Sequence, residues 1–426
     1  MSIKKIAQKI AQNAKAASLE IADLNADLKN KILLQIAQNI RANKAQIIAA
    51  NKSDVELALQ NNLDKAKIDR LILDEKRIEN LADSVADIAQ LPDPVGKILY
   101  DVNRPNGLHI RRISVPIGVI LAIYESRPNV TSDIAALGFK SGNAVILRAG
   151  KESFKTSGKI AEIYQNTLQE FGVNPNCVSY VQSTDRDYVK ELLKLDKFID
   201  VVIPRGGKDL IKAIIKLTRI PVFKHLDGNC HTYVESAADL QKAIKIIANA
   251  KMRRVGVCGA TESLLIDQKI AKEFLPKIVD ELNKLGCEVR GDKAAQKIDS
   301  RVLKANDKDF YTEYLDAILS VKIVKNIDAA IAHINKYSSA HTESIISENQ
   351  NQAEKFFQKI NSAIVMHNAS TQFADGGEFG MGGEVGISTG KLHARGPVGL
   401  EQLTIYKYIV EANCGLRSYT ISNLKR

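Results

Sequence analysis

Over roughly the first 95 positions the apolar residues recur at helical spacing. Leu33, Ile36, Ile40 and Ile47 fall on one helical face with Lys, Asn and Gln opposite, which predicts an all-helical lead-in. The stretch Leu91-Pro92-Asp93-Pro94-Val95 ends it, because two prolines fix φ and remove backbone donors.

From Leu108 the pattern changes to short β-branched runs separated by helical ones. Residues 114–123, 144–148, 177–182, 198–203 and 220–223 read as buried strands, with helices over 134–140 and 161–171 between them. That alternation predicts an α/β fold with a parallel, doubly wound sheet, whose ligands bind at loops beyond the carboxyl ends of the strands. A second series follows: strands over 231–235, 263–266, 317–324, 344–347 and 363–366, with helices over 238–250 and 271–285. It predicts a second α/β domain, divided from the first near the turn-forming Asp227-Gly228-Asn229. Between Ala374 and Gly399 nine glycines crowd one stretch, which is expected to lie over the mouth of a site, because glycine lets backbone approach a ligand closely.

Composition narrows the function classes. Apolar residues make up 45% and charged residues 26%, as in a folded globular protein. The net charge of +11 comes from lysines interleaved with acids along the chain, and with 5% aromatics and no Trp the stacking surfaces of a nucleic-acid binder are scarce. The charge is better used to steer an anionic substrate and a phosphorylated cofactor. No window approaches the ~18 to 20 apolar residues of a membrane span, and no signal or transit peptide is evident at the start, so a cytoplasmic protein is expected.

The five cysteines are odd in number, scattered, and not at zinc-ligand spacing, so neither a disulfide framework nor a structural metal is expected. Cys258 stands apart. It lies in Arg254-Val255-Gly256-Val257-Cys258-Gly259-Ala260-Thr261, just before a strand, where an exposed loop with accessible amides is expected and Arg253 and Arg254 would favour the nucleophilic thiolate. Cys177, Cys287 and Cys414 read as packing residues, and Cys230, next to His231, is the one rival. Arg205, Gly206 and Gly207 close the run 198–203 and open a helix, whose N-terminal amides suit a pyrophosphate.

Three segments then carry a resemblance: VPIGVILAIYESRPNVTSDIAALGFKSGNAVILRAGKES (115–153), RRVGVCGATES around Cys258, and STGKLHARGPVGLEQLTIYKYIV near the end. Together they resemble the aldehyde dehydrogenase superfamily and, within it, the branch that reduces L-glutamyl 5-phosphate to the semialdehyde with NADPH in proline biosynthesis. The resemblance implies two Rossmann-like domains plus a small oligomerisation hairpin. Residues 1–99 and 113–227 would bind the cofactor, 228–395 would be catalytic, and 100–112 with 396–426 would join subunits.

It also implies roles residue by residue. Cys258 is the nucleophile, with Asn129 and the Cys258 amide as the oxyanion hole. Lys151 meets the adenosine ribose or its phosphate, Arg148 an extra phosphate, which favours NADP, and Glu313 the nicotinamide ribose. Arg127, His341, Ser388, Thr389 and Arg395 are candidates for gripping the substrate. Oxidising members carry a general-base glutamate in a Glu-Leu-Gly-Gly-Lys motif, where this chain has His225-Leu226-Asp227-Gly228-Asn229. A thioester exchanged with anionic phosphate needs no base to deprotonate water, so the departure points to the phosphate-linked reaction over a non-phosphorylating aldehyde dehydrogenase, with His225 still available as a base. The expected partners are a second copy of the chain and the kinase that makes the acyl phosphate.

Overall fold

The computed structural model describes residues 1–413 and Gly415, and Cys414 and the remainder of the tail lie outside the described residues. Helices at Ile3–Ala22, Ala26–Ala42, Lys44–Gln60, Lys65–Leu71 and Glu75–Gln90 fill the lead-in. Asn25 and Asp74 cap two of them by accepting the backbone N–H of Leu28 and Arg77, and the last stops before Pro92. Leu33, Ile36, Ile40 and Ile47 are all buried.

These helices wrap a four-stranded parallel sheet in the order Val178–Tyr180, Ala144–Ala149, Val119–Tyr124, Val201–Arg205. Successive side chains of the central strand go to different cores. Ile120, Ala122 and Tyr124 join one cluster with the helices over residues 26–90, while Val119, Leu121 and Ile123 join Ala7, Ala11 and Ala14 on the other face. In chain order the strands read third, second, first, fourth. The connections therefore diverge between Val119–Tyr124 and Val201–Arg205, and that switch point opens a crevice beyond Tyr124 and Arg205.

A second parallel sheet has seven strands, ordered Leu303–Lys304, Glu288–Gly291, Ile318–Val324, Thr261–Asp267, Cys230–Val234, Thr342–Ile346, Ile364–His367. It too is buried on both faces: Leu264 and Ile266 face one core, Tyr233 and Leu265 another. A three-stranded antiparallel sheet of Ile98–Asn103, His109–Pro116 and Thr404–Glu411 completes the framework.

Some sequence expectations shift. The run 114–123 is two strands, because Ile117-Gly118 breaks it: His109–Pro116 belongs to the antiparallel sheet and Val119–Tyr124 to the parallel one. Gly118 sits at φ +128°, where a side chain is strained. The run 220–223 is no strand. Its proline limits it to one bridge, Val202 to Val222.

Candidate active site

Cys258 sits in the turn between the helix Leu240–Met252 and the strand Thr261–Asp267, hence at the amino ends of the seven-stranded sheet. The loop after a strand is where the four-stranded sheet contributes, so the site joins carboxyl ends of one sheet to amino ends of the other. Buried Gln372 anchors the turn. Its Nε2 donates to the carbonyls of Ala250 at 2.9 Å and Asn249 at 3.3 Å, and Arg253 Nη1 donates to its Oε1 at 3.2 Å. From the helical layer, Arg70 Nη2 reaches the Gly256 carbonyl at 3.2 Å.

Gly228 packs directly on the Cys258 backbone. A Cβ there would lie 2.0 Å from the Cys258 carbonyl oxygen, so no other residue fits without moving the turn. The Gly228 N–H donates to Glu313 Oε1 at 2.8 Å, which ties Glu313 to the His225–Asn229 segment. Lys208, in the first turn of the helix Lys208–Leu217, pairs with Asp227.

The charges around the thiol differ from the expectation. Arg253 is taken by Gln372, and the cations acting on Cys258 are Arg205 and Arg127, which reach it from the switch point of the other sheet. Cys258 is half-buried, and burial pushes its thiol up to about 11. Arg205 and Arg127 pull it down, while Glu384 and Glu313 push it further up. The thiol is thus raised at rest, not lowered. Arg205 also packs on the glycine-rich stretch: a Cβ on Gly386, at φ +150°, would come within 2.8 Å of its Nη1. Burial and the neighbouring Arg205 and Arg70 bring Arg127 down to about 10, so it stays a cation at neutral pH.

Two imidazoles complete the cluster. His225 and His341 meet edge to face, with ring centroids 4.8 Å apart. Burial, with the help of Arg205, lowers His225 to about 4, and burial holds His341 well below the ordinary value. His341 is fully buried: its Nδ1 lies 2.8 Å from Thr342 Oγ1 and 3.5 Å from Cys230 Sγ. Cys230 is fully buried and donates to the Cys258 carbonyl at 3.1 Å, and burial raises its thiol well above the ordinary value. It supports the turn and has no exposed sulfur with which to rival Cys258.

The other expected residues divide. Asn129 is the first residue of the helix Asn129–Lys140, exposed at the switch point, with Nδ2 donating to Asp133 Oδ2 at 3.1 Å. Arg127 lies two residues earlier and His341 faces His225, so both belong to the cluster. Ser388 is buried in the short pair Ile387–Ser388 with Gly396–Pro397. Its neighbour Ile387 packs in the apolar cluster that Cys258 abuts. Thr389 N–H donates to the Lys224 carbonyl, next to His225, at 3.1 Å. Arg395 is spent elsewhere, bonding Asn361 through its side-chain oxygen at 2.8 Å and its carbonyl.

On the cofactor side, Arg148 is buried at the end of Ala144–Ala149, where its Nη2 donates to the Thr184 carbonyl at 2.8 Å. Its Nε is buried without a protein partner, a donor set that suits a phosphate beside the exposed Lys151. Gly206 and Gly207 precede the helix Lys208–Leu217, and the Gly207 N–H at that helix start already donates to Glu125 Oε2 at 3.1 Å. Arg70 and Glu384 were missed by sequence reasoning. Each is remote in sequence from Cys258; no local signal marks Arg70, whereas Glu384 lies in the glycine-rich stretch expected over the site mouth.

The family model described as the aldehyde dehydrogenase family matches residues 2–300 and 300–409, and the chain belongs to that family. It falls in the branch expected from the sequence: the Gamma-glutamyl phosphate reductase of Paramagnetospirillum magneticum is 52% identical over 408 residues, covering 96% of each chain. That of Bartonella quintana is 50% identical over 410 residues, covering 96% of this chain and 99% of its own. The crystal structure of Gamma-glutamyl phosphate reductase from Thermotoga maritima superposes with a TM-score of 0.94 at 43% identity, covering 97% of this chain and all of that one. An acetylating aldehyde dehydrogenase from Geobacillus thermoglucosidasius, at 18% identity, shares the fold with a TM-score of 0.68.

Proposed function

We propose that this chain is an NADP-dependent acyl-phosphate reductase that converts L-glutamyl 5-phosphate to L-glutamate 5-semialdehyde with release of phosphate, a step of proline biosynthesis. The observation that carries the reading is the half-buried Cys258 thiol within the electrostatic reach of Arg205 and Arg127, in a chain about half identical to relatives of that name. The guanidinium groups fit an anionic acyl phosphate, and their charge favours the Cys258 thiolate.

The Cys258 thiol gives up its proton to solvent or to the departing phosphate, its S–C bond to the acyl carbon forms as the C–O bond to phosphate breaks, and the leaving phosphate takes the C–O electron pair beside the arginines. The remaining N–H of Asn129 Nδ2 and the Cys258 amide would donate to the carbonyl oxygen as it gains charge. NADPH, when bound, would supply the hydride that reduces the resulting thioester; Arg148 and Lys151 would hold its phosphates, Glu313 its nicotinamide ribose, and the Gly206-Gly207 turn its pyrophosphate once Glu125 releases the Gly207 N–H. Collapse of the hemithioacetal returns the sulfur to Cys258 and frees the aldehyde. His225, lowered to about 4, is a weak base at neutral pH, and the segment has no glutamate. That segment therefore activates water poorly, as a phosphate-exchanging site requires.

The reaction is tested in reverse, as NADPH formed from glutamate semialdehyde and NADP. Activity that needs both added phosphate and Cys258 supports the reading. Phosphate-independent activity would move the chain to the hydrolytic class, and full activity in Cys258→Ser would remove the covalent step.

The assembly is part of the same proposal. Among the described residues the three-stranded sheet leaves Ile98, Leu99, Tyr100, Tyr406, Tyr408 and Val410 exposed. A second copy of the chain is its occupant. The kinase that supplies the labile acyl phosphate is a further partner. Among the described residues no helix is long and apolar enough to cross a membrane.

A further inference from the structure

His225, Cys258 and His341 are far apart in sequence, so no metal-ligand spacing shows there. The fold nevertheless brings one nitrogen of each ring and the Cys258 Sγ within 4.8 Å of one another. Each ring has a nitrogen to spare: His341 Nε2 and His225 Nδ1 are buried without a hydrogen-bond partner. His341 is fully buried, and its Nδ1 is engaged by Thr342 Oγ1 at 2.8 Å, which leaves Nε2 as the lone pair to offer. A buried ring nitrogen with no partner is costly unless something else occupies it.

We propose that this triad is a binding site for a borderline-soft divalent cation of the zinc type, which takes the Cys258 thiolate and so silences the enzyme reversibly. One thiolate and two imidazoles with an open fourth position is a donor set that such cations favour. Ligand atoms of a tetrahedral site stand roughly 3 to 4 Å apart, given metal–sulfur and metal–nitrogen lengths of about 2.3 and 2.0 Å, so closing the triad takes shifts on the order of 1 Å. His225 and Cys258 are half-buried on turns rather than locked in strands, which permits that movement. His341 is oriented from behind by Thr342, as ligating imidazoles are.

Arg205 and Arg127 oppose a cation here, and Glu384 and Glu313 beside the same thiol offset them. The thiol proton leaves to solvent as the sulfur–metal bond forms, and no redox change occurs. Metal binding stands on geometry alone. Its consequence, inhibition, rests on Cys258 being the nucleophile, because the cation and the acyl carbon then compete for one sulfur.

The reduced, chelator-stripped full chain is titrated with Co²⁺ as a spectroscopic stand-in for Zn²⁺. One equivalent per chain is expected, with a thiolate-to-cobalt charge-transfer band that Zn²⁺ abolishes by displacement. Cys258→Ala is expected to lose the band, and His225→Ala to weaken binding by roughly 10- to 100-fold. Circular dichroism of each variant establishes that it folds. In the wild type, Zn²⁺ is also expected to slow alkylation of Cys258 by iodoacetamide, mapped by mass spectrometry.

No charge-transfer band, a band that survives in Cys258→Ala, or alkylation indifferent to Zn²⁺ would overturn the site. Co²⁺ binding together with full activity in Cys258→Ser would sink the reaction reading and leave the metal site standing. Loss of activity in Cys258→Ser with no Co²⁺ binding would do the reverse.

Discussion

At Cys258 the chemistry is set by a balance of opposed charges on a half-buried sulfur. Burial raises the thiol to about 11, Arg205 and Arg127 lower it, and Glu384 and Glu313 raise it. Because the thiolate is the reactive form and its fraction grows with pH, alkylation by iodoacetamide is expected to rise about tenfold per pH unit from neutrality and to level off near pH 11. Arg205→Gln removes the largest opposing cation, so its profile shifts to higher pH and its rate at pH 8 falls, by several-fold to about tenfold. Glu384→Gln removes an anion and should shift the profile the other way. Shifts of the same sign in both variants would show that electrostatics at the thiol is not what these residues control. On the cofactor side, Arg148→Ala takes away a buried guanidinium with a free Nε, and the expected result is a KM for NADPH raised at least tenfold with KM for NADH little changed. Equal losses for both cofactors would mean that Arg148 supports the fold rather than a phosphate.

Elements place these residues, and one buried pair bears much of the load. Lys251, on Leu240–Met252, and Glu262, on Thr261–Asp267, are both fully buried and paired, one on each side of the Cys258 turn. Glu262 Oε1 also accepts the N–H of Leu315 at 3.3 Å, at a residue held at φ +54°, in the turn that brings Glu313 to Gly228. Lys251→Met strands a carboxylate already raised to about 7, and should cost about 3 to 5 kcal/mol in urea unfolding. Adding Glu262→Leu should restore most of that, and a double variant no more stable than the single would refute the pairing argument. The sheets around this pair were legible in the sequence because their strands are buried on both faces and read as unbroken apolar runs. The break at Ile117-Gly118 was not, since the apolar run continues while the chain changes sheets. Cys258 was legible as a candidate from its small-residue surroundings, and the stretch that carries Glu384 from its glycines, whereas Arg70 and the roles of Glu384 and Arg205 beside the thiol were not. They converge only through the packing of elements far apart in the chain, and a local window carries no trace of that.

On the scale of the whole molecule, a sheet's carboxyl ends and another's amino ends face one site, so the relative position of the two parallel sheets is itself a functional quantity. The antiparallel sheet spans the same junction: Ile98–Asn103 and His109–Pro116 run into Val119–Tyr124, while Thr404–Glu411 returns from the glycine-rich stretch that packs on Arg205. Its exposed Tyr406, Tyr408 and Val410 alternate along one strand and thus share one face, with Tyr406 stacked under the Arg112 guanidinium at 4.7 Å. A three-stranded sheet with an exposed apolar face is marginal on its own, and docking a second copy would remove that apolar surface from water. The double variant Tyr408→Lys/Val410→Lys places two cations on that face without touching either parallel sheet. Sedimentation velocity should show the wild type as an oligomer and the variant at the mass of one chain or a smaller assembly. If the variant keeps the wild-type mass, the antiparallel sheet is not the interface. If the smaller species forms and also loses activity while its unfolding midpoint is unchanged, then subunit contact steadies the junction at which Arg127, Arg205 and Cys258 meet.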